Sequence, residues 1–361
     1  MTVSSKNSKK KSTNKSRFSL RKFVLKIFLA VFLLSLAVIV GAYYYGRYML
    51  SQPLPVAVTI TIEVKRGDSL RKVADRMAEQ GVLESAEWFY WYGRLSRKDK
   101  QIVAGEYLLE PGKNAIELFT LLTSGDTLNY ALTIIEGWNL RDVLRELENH
   151  PKLEITIDSQ DPAQLAKLLG MNYPHAEGLL FPDTYFYKKG TRDIDLLTTA
   201  HRRMVRILEN EWSRKSAWSA AATPYEALIL ASIVEKETSV DSERGRISGV
   251  FTLRLDKGMR LQTDPTVIYG MGDKYEGNLR RKDLREATAY NTYVIKGLPP
   301  TPIAMPGRAS IHAALNPEKT GDLYFVARGD GTHEFSKTHE AHVKAVRKYQ
   351  LRRRDDYRST Q

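Results

Sequence analysis

The chain has 361 residues, 42% hydrophobic and 27% charged, an ordinary globular mix long enough for an anchor and two folded bodies. It has no cysteine, which excludes disulfides, thiol nucleophiles and thiolate metal sites. The formal net charge is +13, but Lys6, Lys9, Lys10, Lys11, Lys15, Arg17, Arg21, Lys22 and Lys26 supply +9 of it with no acid among the first 26 residues, so the rest of the chain offers no basic face for nucleic acid.

That basic segment reads as a cytoplasmic tail over 1–22, followed by a transmembrane helix over 23–45. Ile27–Tyr45 (IFLAVFLLSLAVIVGAYYY) is 19 residues without a charge, about enough to cross the apolar core of a bilayer as a helix. Tyr43, Tyr44, Tyr45 and Tyr48 stand where an interfacial aromatic belt belongs. A cleaved signal peptide fits less well, because bulky tyrosines follow the apolar run instead of a small-x-small site. With the positive flank inside, everything beyond it is expected on the outer side of the membrane, in the periplasm or cell-wall zone. Residues 46–57, with Pro53 and Pro55, read as a short stiff linker.

A pattern then recurs three times: a short apolar strand, a glycine turn and a helix-capping residue two positions after the glycine. Ile60–Val64 leads to Gly67 and Ser69, Tyr107–Leu109 to Gly112 and Asn114, and Leu132–Ile135 to Gly137 and Asn139. Apolar residues at helical spacing follow each cap, as in Leu70, Val73, Ala74 and Met77. Gly67-Asp68-Ser69-Leu70 after a strand resembles the start of a LysM module, a family that binds N-acetylglucosamine polymers; a generic strand–helix turn is the alternative. From Asp161-Pro162 onward the chain turns helical, with a long helix over 193–212, one opened by Thr223-Pro224 and one over about 242–257. A strand over 323–327, the hairpin-like RGDGT and a closing helix from about Lys337 complete it. The expected fold class is α+β: a single N-terminal transmembrane helix, a small LysM-like α/β subdomain (58–128), a larger helical-plus-strand domain (129–347) and a charged tail (348–361). Neither GxGxxG nor GxxxxGK[ST] occurs, so no nucleotide site is expected.

Ala227–Val234 is apolar almost all round, as in a helix buried on most sides. It ends in Glu235 and Glu237, which sit roughly 200° apart on a helix and therefore cannot share one pocket. One is expected to face a cavity and the other solvent, with Lys236 between them. A carboxyl in apolar surroundings holds its proton to higher pH and can protonate a leaving oxygen and later take a proton back. Spacing alone leaves open whether these acids do chemistry or simply end a core helix, paired with Lys236 or Arg244. Gln262, Thr263 and Asp264, and Asn291 and Tyr293 in a proline-rich loop, supply the amides, hydroxyls and aromatic face that a sugar site uses; ordinary turn chemistry explains them too.

The set EGLLFPDTYFY (Glu177–Tyr187), LILASIVEKET (Leu228–Thr238), RLQTDPTVIYG (Arg260–Gly270), NTYVIKGLPPTPIAMPG (Asn291–Gly307) and YFVARGDGTHEFSKTHEAH (Tyr324–His342) resembles the endolytic murein transglycosylases of the MltG (YceG-like) type, over roughly residues 58–347. The resemblance implies a single-pass inner-membrane lyase, N-terminus cytoplasmic, that cleaves the MurNAc–GlcNAc β-1,4 bond of nascent peptidoglycan with 1,6-anhydro-MurNAc formation and ends strand elongation. It implies Glu235 as the catalytic acid/base, and Gln262, Thr263, Asp264, Asn291, Tyr293 and Glu334 as substrate-binding residues. No cofactor and no metal are expected; the partners are glycan strands, the inner membrane and, as candidates, peptidoglycan synthases. Val343 departs from the family pattern, which often has Asn after the closing His. Two rivals remain: a metal hydrolase using His333, His339 and His342, against which HEFSK is not HExxH, and a non-catalytic wall-binding scaffold for peptidoglycan synthesis.

Overall fold

The structure is a computed structural model that describes residues 1–2 and 15–351. Lys6, Lys9, Lys10 and Lys11 of the basic tail, and the tail beyond Leu351, lie outside the described residues. The chain folds as two compact units, residues 1–128 and 129–361.

The first unit comprises α1 (Lys15–Ser51), β1 (Ile60–Val64), α2 (Leu70–Glu79), α3 (Ala86–Leu95), β2 (Gly105–Leu109) and α4 (Ala115–Ser124). Strands β1 and β2 pair antiparallel with Ile62 opposite Tyr107. The core joins Ile62, Val64, Val73, Met77, Phe89, Tyr107, Leu118 and Leu122. Ser69 caps α2 by accepting from Lys72 N, and Asn114 closes a capping box with Glu117 on α4. Within α1, Arg21–Ser51 is long and apolar enough to cross a membrane, with mean hydropathy 2.9 in its most apolar window. The helix does not stop at Tyr45 where the linker was expected. It runs on to Ser51 because Leu50 is buried against the first unit's core, as is Leu54 just beyond it. Leu54 N then donates to Lys113 O at 2.8 Å, so residues 46–54 are docked and not a free spacer. α3 was not anticipated from spacing.

The second unit runs β3 (Tyr130–Thr133), α5 (Leu140–Glu148), β4 (Leu153–Glu154), α6 (Pro162–Leu168), β5 (Thr184–Tyr187), β6 (Thr191–Arg192), α7 (Asp193–Trp212), α8 (Pro224–Glu237), α9 (Asp241–Asp256), α10 (Asp264–Met271), α11 (Arg308–Leu315), β7 (Tyr324–Ala327), β8 (His333–Ser336) and α12 (His339–Val346). Its strands form three small two-stranded sheets: β3 with β5 and β7 with β8 antiparallel, and β4 with β6 parallel. Helices supply the core. α8 is central, packed by α7, α9, α10 and α11, and every residue from Ala227 to Val234 is buried. That surround is why the segment is apolar on all sides: no face of it meets water. Thr223 caps α8 by accepting from Glu226 N, and Pro224 occupies its first turn.

Candidate active site

The apolar length of α8 fixes where its last turn emerges. Ser232, fully buried, accepts from Ile303 N at 3.0 Å and so pins the 302–307 segment along the helix. One turn on, Glu235 Oε2 accepts from Gly307 N at 2.9 Å, at the N-cap of α11. The loop between β3 and α5 closes over the same place. Gly137 N donates to Met305 O at 2.9 Å, Met305 N donates to Trp138 O at 2.7 Å, and Lys236 Nζ reaches Gly137 O at 3.3 Å. Gly137 has φ +80, a left-handed conformation that only this residue type adopts cheaply.

This loop also brings Glu136 to Gly307. Its carboxyl lies so close over the Gly307 Cα that any side chain there would overlap it. Burial of that carboxyl pushes Glu136 above the usual carboxylate value, the Glu235 charge adds to the effect, and the Arg244 guanidinium opposes it. Arg244, itself buried on α9, donates to Ser310 Oγ at 3.2 Å and pairs with Asp241. Two carboxylates thus meet at one glycine, with a buried cation behind them. Glu136 was not among the residues expected at this site. The available signal was an acid directly before the turn glycine, where the other two turns have Arg66 and Pro111.

Glu237 points to the other side of α8, as the 200° spacing requires, but it does not face open solvent as expected. Both glutamates are partly buried, and the residue turned to water is Lys236. The covering comes from the 261–264 segment and the 291–293 loop. Thr263, 2% exposed, donates its hydroxyl to Glu237 Oε1, and its own N–H donates to Thr292 Oγ1 at 3.1 Å. Burial pushes Glu237 up to about 7, with the Thr263 hydrogen bond opposing and the Asp264 charge reinforcing. Tyr293 donates to Asp264 Oδ1 at 2.6 Å.

The sequence-predicted sugar ligands therefore separate. Gln262 is exposed and held at φ +54, an unusual backbone conformation for a residue other than glycine. Asp264 is exposed and Tyr293 partly so. Asn291 is 1% exposed, and its amide donates to Asp283 O and Glu286 O, so it shapes its loop and does not reach a ligand. Thr263 is likewise turned inward to Glu237. Glu334 is held by Arg328 at 2.7 Å on the β7–β8 hairpin, with Tyr349 as a further donor. The three histidines do not converge on one point: His333 is buried against Glu243 at 2.7 Å, while His342 stacks on Tyr324. Among the described residues no group of three acids or histidines is placed to hold a metal ion.

A second buried acid supports the site from beneath. Glu177 is 2% exposed and accepts from Leu140 N, at the start of α5, with both oxygens at 3.0 and 3.1 Å, and from the Tyr269 hydroxyl at 3.0 Å. Burial pushes it up to about 7 despite those donors. It ties the end of the Glu136 loop to α10.

A helix-rich body with two carboxyls at the end of a buried helix, and polar loops beside them, supplies the acid–base groups that cleavage of a glycosidic bond requires. Residues 62–348 match the model of the YceG-like family, and the chain belongs to that family. It is 31% identical, over 86% of its length and 91% of the relative's, to the endolytic murein transglycosylase of Bacillus subtilis (strain 168). It is 27% identical to the endolytic murein transglycosylase of Streptococcus pneumoniae serotype 2, covering 89% of this chain and 65% of that one. The crystal structure of a YceG-like protein from Listeria monocytogenes superposes with TM-score 0.52 at 32% identity, covering 80% of this chain and 99% of that one.

Proposed function

We propose that the chain is an endolytic murein transglycosylase, a lyase that cuts peptidoglycan strands internally at the MurNAc–GlcNAc β-1,4 bond. The observation that carries the reading is Glu235: a carboxyl at the mouth of a wholly buried helix, oriented through one oxygen by Gly307 N–H. That hydrogen bond occupies Oε2 and leaves Oε1 for proton transfer. Glu235 gives its proton to the bridging oxygen as the C1–O bond breaks. It then accepts the proton of the same sugar's C6 hydroxyl, whose oxygen bonds to C1. A 1,6-anhydro end results, and no water is consumed. Glu136, also at Gly307, stands ready to balance the positive charge that develops at C1. Gln262, Asp264 and Tyr293 are the substrate-binding residues of this reading. The names carried by the Bacillus and Streptococcus relatives support the reaction class.

α1 anchors the protein in the inner membrane with its N-terminus in the cytoplasm and the residues beyond it outside, where glycan strands are made and where synthases are the candidate partners. Residues 58–128 are the LysM-like, glycan-binding part. Gly67-Asp68-Ser69-Leu70 does lie at a strand–helix junction, as that reading requires. A groove of about 550 Å³ lined by Leu108, Glu110, Ile116, Thr120 and Leu121 gives this unit a surface on which a chain of sugars can lie.

The test is a digest of uncross-linked glycan by the full chain in detergent, beside Glu235→Gln, read by mass spectrometry. Anhydro-ended internal fragments from the wild type, reduced by about 10²–10⁴-fold in the folded variant, are expected. Reducing ends formed with water would overturn the lyase reading, and equal cleavage by both proteins would remove Glu235 from its role.

A further inference from the structure

The first unit carries an exposed apolar stripe beside its long helix. α3 starts near the far end of α1: Leu83 and Ser85 share a small cleft with Leu50, Pro53 and Leu54. One turn later Trp88 lies against Gly46, and its ring meets Tyr45 edge-on with centroids 6.0 Å apart. Progress along α3 therefore runs back along α1, toward the uncharged stretch that ends at Tyr45. Trp91 and Leu95 follow Trp88 by three and seven residues, which keeps them on the same side of the helix. Unlike Trp88 they are uncovered, 53% and 72% exposed. Leu95 lies about 10 Å beyond Trp88 along the helix, comparable with the roughly 5–7 Å thickness of one headgroup layer. The same end of the helix is basic: Arg94, Arg97, Lys98 and Lys100 stand against Asp99, which Arg94 already holds at 2.8 Å. Arg97, Lys98 and Lys100 are exposed.

We infer that residues 91–100 dip into the interfacial layer of the bilayer that α1 crosses. Trp91 and Leu95 lie at the headgroup–acyl boundary, and Arg97, Lys98 and Lys100 meet anionic phospholipid headgroups. The heading set by these two contacts supplies the occupant: continued past Trp88 beside a membrane-crossing helix, from the level where its apolar run ends, the surface meets lipid and not solvent. Tryptophan and leucine framed by lysine and arginine is the composition that this layer favours. The first unit is then seated on the membrane through two elements, and its height above the bilayer is fixed. The inference rests on α1 being a membrane anchor.

The absence of cysteine makes the test direct. Leu95→Cys, Phe32→Cys within α1, and Glu110→Cys are each labelled with a bimane fluorophore in the full chain, in nanodiscs containing phosphatidylglycerol and doxyl-labelled lipid. Glu110 is the distal control, because its turn ends at Lys113, which receives Leu54 N beyond the end of α1. Phe32 is expected to be quenched by mid-chain doxyl, and Leu95 by shallow doxyl at least roughly twofold more than Glu110. Reversing Arg97, Lys98 and Lys100 to Glu is expected to reduce quenching at Leu95 in anionic discs. An unquenched Phe32 overturns the anchor reading and this inference with it. A quenched Phe32 with Leu95 no different from Glu110 overturns this inference alone.

Discussion

Replacing Glu177 by Gln tests whether the site rests on a carboxyl that stays protonated when buried. In the unfolded chain this carboxyl ionises near its ordinary 4.5, whereas in the fold it holds its proton to about 7. Below about pH 4.5 both states bind the proton, and Glu177 adds no pH dependence. Between 4.5 and 7 the unfolded state alone releases it, so stability falls as pH rises; above 7 the loss is complete. The gap of about 2.5 units corresponds to about 3 kcal/mol. Because the residue is 2% exposed, solvent screening takes little from that figure.

Glutamine keeps the shape and one oxygen for Leu140 N, and the Tyr269 hydroxyl can rotate to accept from the new amide. Any cost of the swap is independent of pH. Urea unfolding of the full chain and of Glu177→Gln, followed from about pH 5 to about pH 8, isolates the effect, since every other titrating group is common to both. The wild type is expected to lose about 2–3 kcal/mol more than the variant over that range. Identical pH profiles would refute the reasoning, because Glu177 would then ionise alike in both states.

Glu237→Gln is expected to leave glycan cleavage within about tenfold of wild type while Glu235→Gln loses at least about 100-fold, since only Glu235 faces Gly307 and Glu136; the reverse ranking in the same digest would exchange their roles. Gly307→Ala displaces the Glu136 carboxyl without straining the backbone, whose φ is −73. It should cost about 1 kcal/mol or less as a cap change yet lower turnover as Glu136→Gln does; full turnover in a folded Gly307→Ala would remove Glu136 from the site. Ser232→Ala leaves the buried Ile303 N–H without its acceptor and should cost about 1–3 kcal/mol in urea midpoint analysis. An unchanged midpoint would show that the 302–307 segment does not depend on this bond.

Local rules carried much of the fold. α7 occupies residues 193–212 as spacing predicts, because Leu196, Leu197, Ala200, Met204 and Leu208 form one side, and all are buried. The caps Ser69, Asn114 and Asn139 each accept from their helix's free N–H groups, so strand–turn–helix units could be read from single residues. α3 escaped because AEWFYWYGRL has aromatic residues on several sides, only Phe89 and Gly93 are fully buried, and the surfaces that cover it come from three different helices, α2 first and then α1 and α4. The linker was misplaced for the same reason: Leu50 and Leu54 look like spacer residues until a core is supplied for them.

The site shows the same division more sharply. Glu235 can be picked out as a candidate from sequence because its oddity is local, an acid closing an apolar helix. Asn291 resembles a sugar ligand in sequence, but in the fold its amide donates to two carbonyls of its own loop, Asp283 O and Glu286 O. Glu136 and Glu177 were not legible, because what makes each unusual is supplied from elsewhere in the chain. Glu136 is covered by a glycine 171 positions later, and Glu177 by a helix start and a tyrosine that flank it in space alone. A carboxyl acquires its chemistry from desolvation and neighbouring charge, and both depend on non-local packing. Sequence can therefore name the acid that stands out along a helix, whereas the acids that packing buries around it emerge only when the 302–307 segment has been laid along α8.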